Sequence, residues 1–122
     1  MNTNTLNFDF VFLGQSILKY QVPLDIFHSI NHIYESNFHN LHPANGQLVG
    51  KIENEHSLFY NGQDQSKMKN HNMLPRNVTD YFMTVFKHYL AFNKIRDYET
   101  HLNSIWVNEM KQHEYNPAHI HR

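Results

Sequence analysis

Asn77-Val-Thr-Asp-Tyr-Phe-Met-Thr-Val-Phe-Lys-His-Tyr-Leu90 is the stretch that decides the fold. Val78, Tyr81, Phe82, Val85, Phe86, Tyr89 and Leu90 fall at offsets 0, 3, 4, 7, 8, 11 and 12, which is one face of an α-helix. The helix opens at Pro75 or Asn77, where a proline costs no intrahelical hydrogen bond, and runs to about Asn93. An apolar face that long needs a broad surface to cover it, and an aromatic stripe of this kind is far more often core than a ligand platform.

The cover is legible upstream. Residues 8–22, Phe-Asp-Phe-Val-Phe-Leu-Gly-Gln-Ser-Ile-Leu-Lys-Tyr-Gln-Val, are aromatic and β-branched and end at Pro23. They read as one or two strands, with Gly14 at a turn or bulge and Ile17 to Val22 the stronger strand. Pro23 then opens a first helix, with Asp25 in its first turn, where the helix dipole favours negative charge. Ile26, Phe27, Ile30, Ile33 and Tyr34 form its apolar stripe, which packs on the sheet. His28 and His32 are four apart, a spacing able to hold one metal ion, but they lie off that stripe and read as solvated surface histidines.

Residues 38–75 are the least regular. Leu41-His-Pro-Ala-Asn-Gly46 is loop chemistry and Asn61-Gly62 a tight-turn signal. Between them Gln47 to Tyr60 mixes apolar and charged groups without a clean period, and Lys51, Glu53 and Glu55 read as solvated surface, with a site role as the alternative. Asn61 to Asn72 reads as a surface loop. After the charged turn Ile95 to Glu99, Ile105-Trp106-Val107 favours a strand, although Trp106, Val107 and Met110 would also suit a short helix.

With 122 residues the chain fits a single domain, 1–122. Ten basic and eleven acidic side chains give a net charge of -1, which argues against a protein built to grip a polyphosphate backbone. There is no cysteine, so disulfides, thiolate metal sites and cysteine nucleophiles are excluded. No apolar run approaches the roughly 20 residues of a bilayer span, and Met1 to Asn7 lacks the features of a signal peptide, so a cytoplasmic protein without membrane contact is expected. Sixteen asparagines and eleven histidines stand against three alanines and three arginines, a bias that an AT-rich coding sequence would produce. Most of the histidines therefore need no functional reason.

His119-Ile120-His121 is the exception in spacing. In a strand, residues i and i+2 share a face, so the two imidazoles could take adjacent positions on one metal ion while Ile120 points into the core. Imidazole suits Fe, Zn, Cu and Ni, so the pair does not choose the metal.

Ser104-Ile-Trp-Val-Asn-Glu-Met-Lys-Gln-His-Glu-Tyr-Asn-Pro-Ala-His-Ile-His121 resembles the segment entering the first metal-binding motif of 2-oxoglutarate/Fe(II)-dependent oxygenases, most of all those encoded by T4-like cyanophages. Ala44-Asn-Gly-Gln-Leu-Val-Gly-Lys-Ile-Glu-Asn-Glu55 is similar to the N-terminal region of the same group. The resemblance implies a hydroxylating dioxygenase in the host-cell cytoplasm, with Fe(II) and 2-oxoglutarate as cofactors and His119 and His121 as metal ligands. It puts Met110 where the wider superfamily carries a co-substrate tyrosine, with Asn108 and Trp106 as further pocket walls (a place in the core being the equal alternative for Trp106), and His113 where it carries a glycine. His121 stands where that superfamily has aspartate, so the usual carboxylate ligand is replaced by imidazole. Met110 has no hydroxyl to donate.

The same resemblance implies that the chain is the first part of a longer double-stranded β-helix (jelly-roll) domain, cut short and inactive alone, with its further ligands beyond Arg122. A C-terminal edge strand of that kind would pair with another copy, giving a homodimer. Two other readings compete: a small α+β binding or assembly module without catalysis, and a hydrolytic metal enzyme taking another ligand from His101, Glu109, His113 or Glu114. The fold expected throughout is α+β, an N-terminal strand or strands and two main helices packed on a small, mainly antiparallel sheet, with a C-terminal strand carrying the histidines.

Overall fold

The wide apolar face of the second helix and the aromatic N-terminal strands do meet. The computed structural model describes residues 5–12, 14, 16–44, 50–63 and 68–120. These form two compact units, Met1–His32 with Leu74–Leu102, and Ile33–Met73 with Asn103–Arg122. Among the described residues the class is α+β, with two α-helices and two small antiparallel sheets. Among the described residues no helix is long and apolar enough to cross a membrane.

In the first unit β1 (Asn7–Phe12) and β2 (Ser16–Gln21) pair antiparallel. Gly14 lies between them at φ +84°, a left-handed conformation that a side chain would strain. The register Phe8↔Tyr20, Phe10↔Leu18 and Phe12↔Ser16 places Phe8, Phe10 and Phe12 on one face. Their rings lie 6.0, 5.2 and 6.4 Å from that of Phe92, at the end of α2 (Arg76–Phe92). Tyr20 Oη and His88 Nδ1 are 2.7 Å apart, and the Tyr89 hydroxyl donates to Ser16 O at 3.3 Å.

The start of α2 follows Pro75, whose carbonyl accepts from Val78 and Thr79. Val78 is fully buried and Tyr81 nearly so, while Phe86 and Tyr89 farther along the stripe are exposed. A two-stranded ribbon is narrower than the face that the spacing draws. The other helix, α1 (Leu24–Ser36), begins with Phe27 N donating to Pro23 O at 3.0 Å and carries Asp25 in its first turn. Ile26 is its buried residue, and His28 and His32 are exposed, as their position off the stripe implies.

The second unit holds β3 (His42–Pro43), β4 (Asn54–Tyr60) and β5 (Ser104–Glu109) in the order β3-β4-β5, all antiparallel. Pro43, which has no donor to give a ladder, sits on an edge strand. Trp106 and Val107 are therefore in a strand rather than a short helix. β4 emerges from the region that shows no period, for a physical reason. Glu55 and Ser57 occupy two of its three buried positions, beside Leu58, so polar residues stand where alternation calls for apolar ones. The register also slips between Ser57 and Phe59. Leu41, Ile52 and Leu58 are the buried apolar side chains of this unit.

The expectation of a C-terminal strand carrying the histidines needs correcting. The last strand is β5, and residues 116–120 form no strand. Pro117 removes a ladder donor, and His113, at φ +69°, turns the chain before it. Ile120 is 77 % exposed rather than in the core.

Candidate functional site

The segment leading to His119 is docked, although not as a strand. Lys51 and Tyr115 exchange both backbone hydrogen bonds at 2.9 Å. Glu114 holds the turn ahead of it: Lys111 N donates to Oε1 and Glu53 N to Oε2, each at 2.7 Å. These two backbone donors keep the Glu114 carboxyl below the usual carboxylate range. Lys111 Nζ closes the loop on Glu53 Oε2 at 3.2 Å. Gly50 permits the docking, because a Cβ there would run into the Tyr115 carbonyl and lie 2.7 Å from Pro117 Cδ.

His113 occupies a left-handed position at φ +69°, a conformation that glycine adopts without cost and a histidine adopts with strain. His119 Nδ1 lies 2.8 Å from Pro117 O. A carbonyl oxygen only accepts, so Nδ1 carries the proton and Nε2 is the nitrogen that a metal would take. His119 is exposed. His121, its partner in the sequence reading, lies outside the described residues. Met110 (59 % exposed) and Trp106 (45 %) are open, as is Asn108. Among the described residues no three His, Cys, Asp or Glu side chains are grouped to hold a metal ion. His101, Glu109, His113 and Glu114 do not form such a group.

Two polar arrangements in the second unit carry no sequence signature. Tyr34 donates from its hydroxyl to Glu109 Oε2 at 2.5 Å. Burial first, then that hydrogen bond and the Glu109 charge, push the Tyr34 phenol well above its ordinary value, so it stays protonated. Beside it, His56 packs its ring 4.7 Å from that of Phe38 and 6.1 Å from that of Tyr34. His56 Nδ1 is buried with no hydrogen-bond partner. Burial lowers the His56 pKa, and the Glu109 charge partly opposes it.

On β4, Glu55 is 5 % exposed and its Oε2 is buried without a partner. Burial pushes this carboxyl up. The register sets Glu55 opposite Asn108 and Ser57 opposite Trp106, which puts the buried acid on the face of two residues that the sequence reading singles out. Its only sequence signal is a charged residue inside a strand that the pattern does not reveal.

No family model matches this chain, and neither the curated proteins nor the solved structures hold a match to it.

Proposed function

We propose that the chain carries the metal-binding segment of a phage-type 2-oxoglutarate/Fe(II)-dependent oxygenase, acting in a host-cell cytoplasm, with His119 and His121 as iron ligands. The observation that carries this is the Asn116-Pro-Ala-His-Ile-His121 segment with His119 Nδ1 held by Pro117 O, so that ligation would fall to Nε2. The donor chemistry suits Fe(II), although imidazole alone also suits Zn, Cu and Ni. Bound iron and 2-oxoglutarate would supply the oxidising power for hydroxylating a substrate C–H bond.

The chain's own residues hold and orient. Pro117 fixes the His119 ring, and Glu114 and the Gly50–Lys51 backbone anchor the segment that bears it. By the resemblance, Asn108 and Met110 would line the co-substrate side. Asn108 can donate to a carboxylate; Met110 offers only apolar surface. The test is equilibrium dialysis against Fe(II) without oxygen. Retention by the native chain and its loss in His119→Ala support the reading, and equal retention by both refutes it.

A second reading has its own observation. Phe10, Val11, Phe12, Ile17 and Leu24 are all exposed, and β5 is an edge strand of its sheet among the described residues. An α+β assembly module without catalysis, dimerising along that edge, would use such features. Sedimentation over a concentration series separates it from the first: association without metal binding favours the module.

A further inference from the structure

A carboxyl oxygen taken out of water without a donor is costly, and proteins pair such groups or use them. Glu55 Oε2 is in that position. Neither Arg76–Asp80 nor Lys111–Glu53, the ion pairs of the described residues, involves it. Its surroundings are set by the register. Cross-strand partners point to the same side, so Glu55 and Ser57 of β4 share one face with Asn108 and Trp106 of β5. That face is closed along β4 and open along β5.

We propose that this face binds an ammonium group borne on an aliphatic stem, with Glu55 Oε2 and Asn108 Oδ1 accepting its hydrogen bonds and the Trp106 indole covering its stem. The acceptors come from separate side chains on two strands rather than from one planar edge. That arrangement suits the three divergent donors of an ammonium better than the flat fork of a guanidinium. The indole face adds attraction for a cation, and tryptophan is the strongest of the aromatic residues in this respect. A stem is required because Oε2 is buried while Trp106 and Asn108 are at the surface.

Protons balance simply. Where Glu55 holds its proton in the free chain, that proton goes to solvent as the ammonium arrives, and a carboxylate–ammonium pair replaces a carboxylic acid; burial, which raises the Glu55 pKa, widens the range in which this exchange occurs. Affinity therefore rises with pH through the free-state pKa of Glu55, levels off above it, and falls once the amine loses its proton. Both readings use Asn108, but this site needs neither iron nor 2-oxoglutarate and is tested in their absence, so its failure leaves the oxygenase reading untouched.

Trp106 is the only tryptophan, which makes its emission a direct probe. The full chain is titrated with n-butylammonium and, separately, with the neutral N-butylacetamide. The expected result is a saturable change with the ammonium, tighter at neutral than at mildly acidic pH, and none with the neutral compound. Glu55→Gln, checked for native circular dichroism, weakens the binding by roughly tenfold or more. Absence of a saturable change overturns the proposal, as does an equal response to N-butylacetamide or unchanged binding in Glu55→Gln. The comparison of the two compounds on the native chain needs no variant.

Discussion

The Tyr34 hydroxyl and Glu109 Oε2 meet at 2.5 Å although 75 residues separate them in the chain. The bond joins the last turns of α1 to the end of β5, both within the second unit. Its acceptor is a carboxylate, which makes it stronger than a neutral pair. Tyr34→Phe keeps the ring against Phe38 and removes only the donor. A loss of about 1 kcal/mol in urea unfolding is expected. An unchanged midpoint would mean that the bond is not formed in solution.

Glu55 sets a pH dependence of opposite sign to that of ordinary carboxylates. Its folded pKa is raised by burial above its ordinary 4.5. The native state therefore holds the proton at pH values where the unfolded chain has released it. The contribution is fully present below 4.5 and lost as pH rises through the folded value. Glu55→Gln should raise the unfolding midpoint at neutral pH, with the gain vanishing in acid. A variant less stable at neutral pH would contradict this.

His56 acts the other way. Burial lowers its folded pKa below 6.5, so the unfolded chain takes up a proton before the native one does. Stability from this group is complete above 6.5 and falls as pH drops through that value toward the folded pKa. His56→Phe, which can still pack on Phe38, should flatten this part of the stability profile. Proton NMR of the His56 ring should show titration below 6.5, and titration above it would contradict the account.

Gly50 is where the docking of the His119 segment is most exposed to a small change. Gly50→Ala places a methyl against the Tyr115 carbonyl and Pro117. A loss of about 1–3 kcal/mol is expected from the forced shift. Weaker metal retention should accompany it, because the same contact positions the chain ahead of His119. Retention unchanged beside reduced stability would separate the docking from the site.

These residues also mark what the sequence can and cannot reveal. The hairpin and both helices are legible because Phe8, Phe10 and Phe12 alternate and Val78, Tyr81 and Leu90 keep a helical period. β4 is hidden because Glu55 and Ser57 occupy buried positions, which breaks the rule by which strands are read. The C-terminal strand is misplaced because His-x-His suits a strand in spacing, whereas Pro117 and the left-handed His113 disfavour one. The Tyr34–Glu109 pair and the His56 environment arise from contacts distant in sequence, which no local pattern encodes. The candidate ligands His119 and His121 rest on a motif, and only the first lies among the described residues.

The central claim is that His119 and His121 hold iron. Its most direct measurement is an oxygen-free titration of the chain with Fe(II) and then 2-oxoglutarate, following the visible charge-transfer band of the iron–2-oxoglutarate chelate. The account predicts a band that saturates with the chain, the remaining iron ligand coming from the chain itself or from a second copy, and that disappears in the His119→Ala/His121→Ala variant. No band beyond that of iron and 2-oxoglutarate in buffer, or one that survives in the double variant, would contradict it.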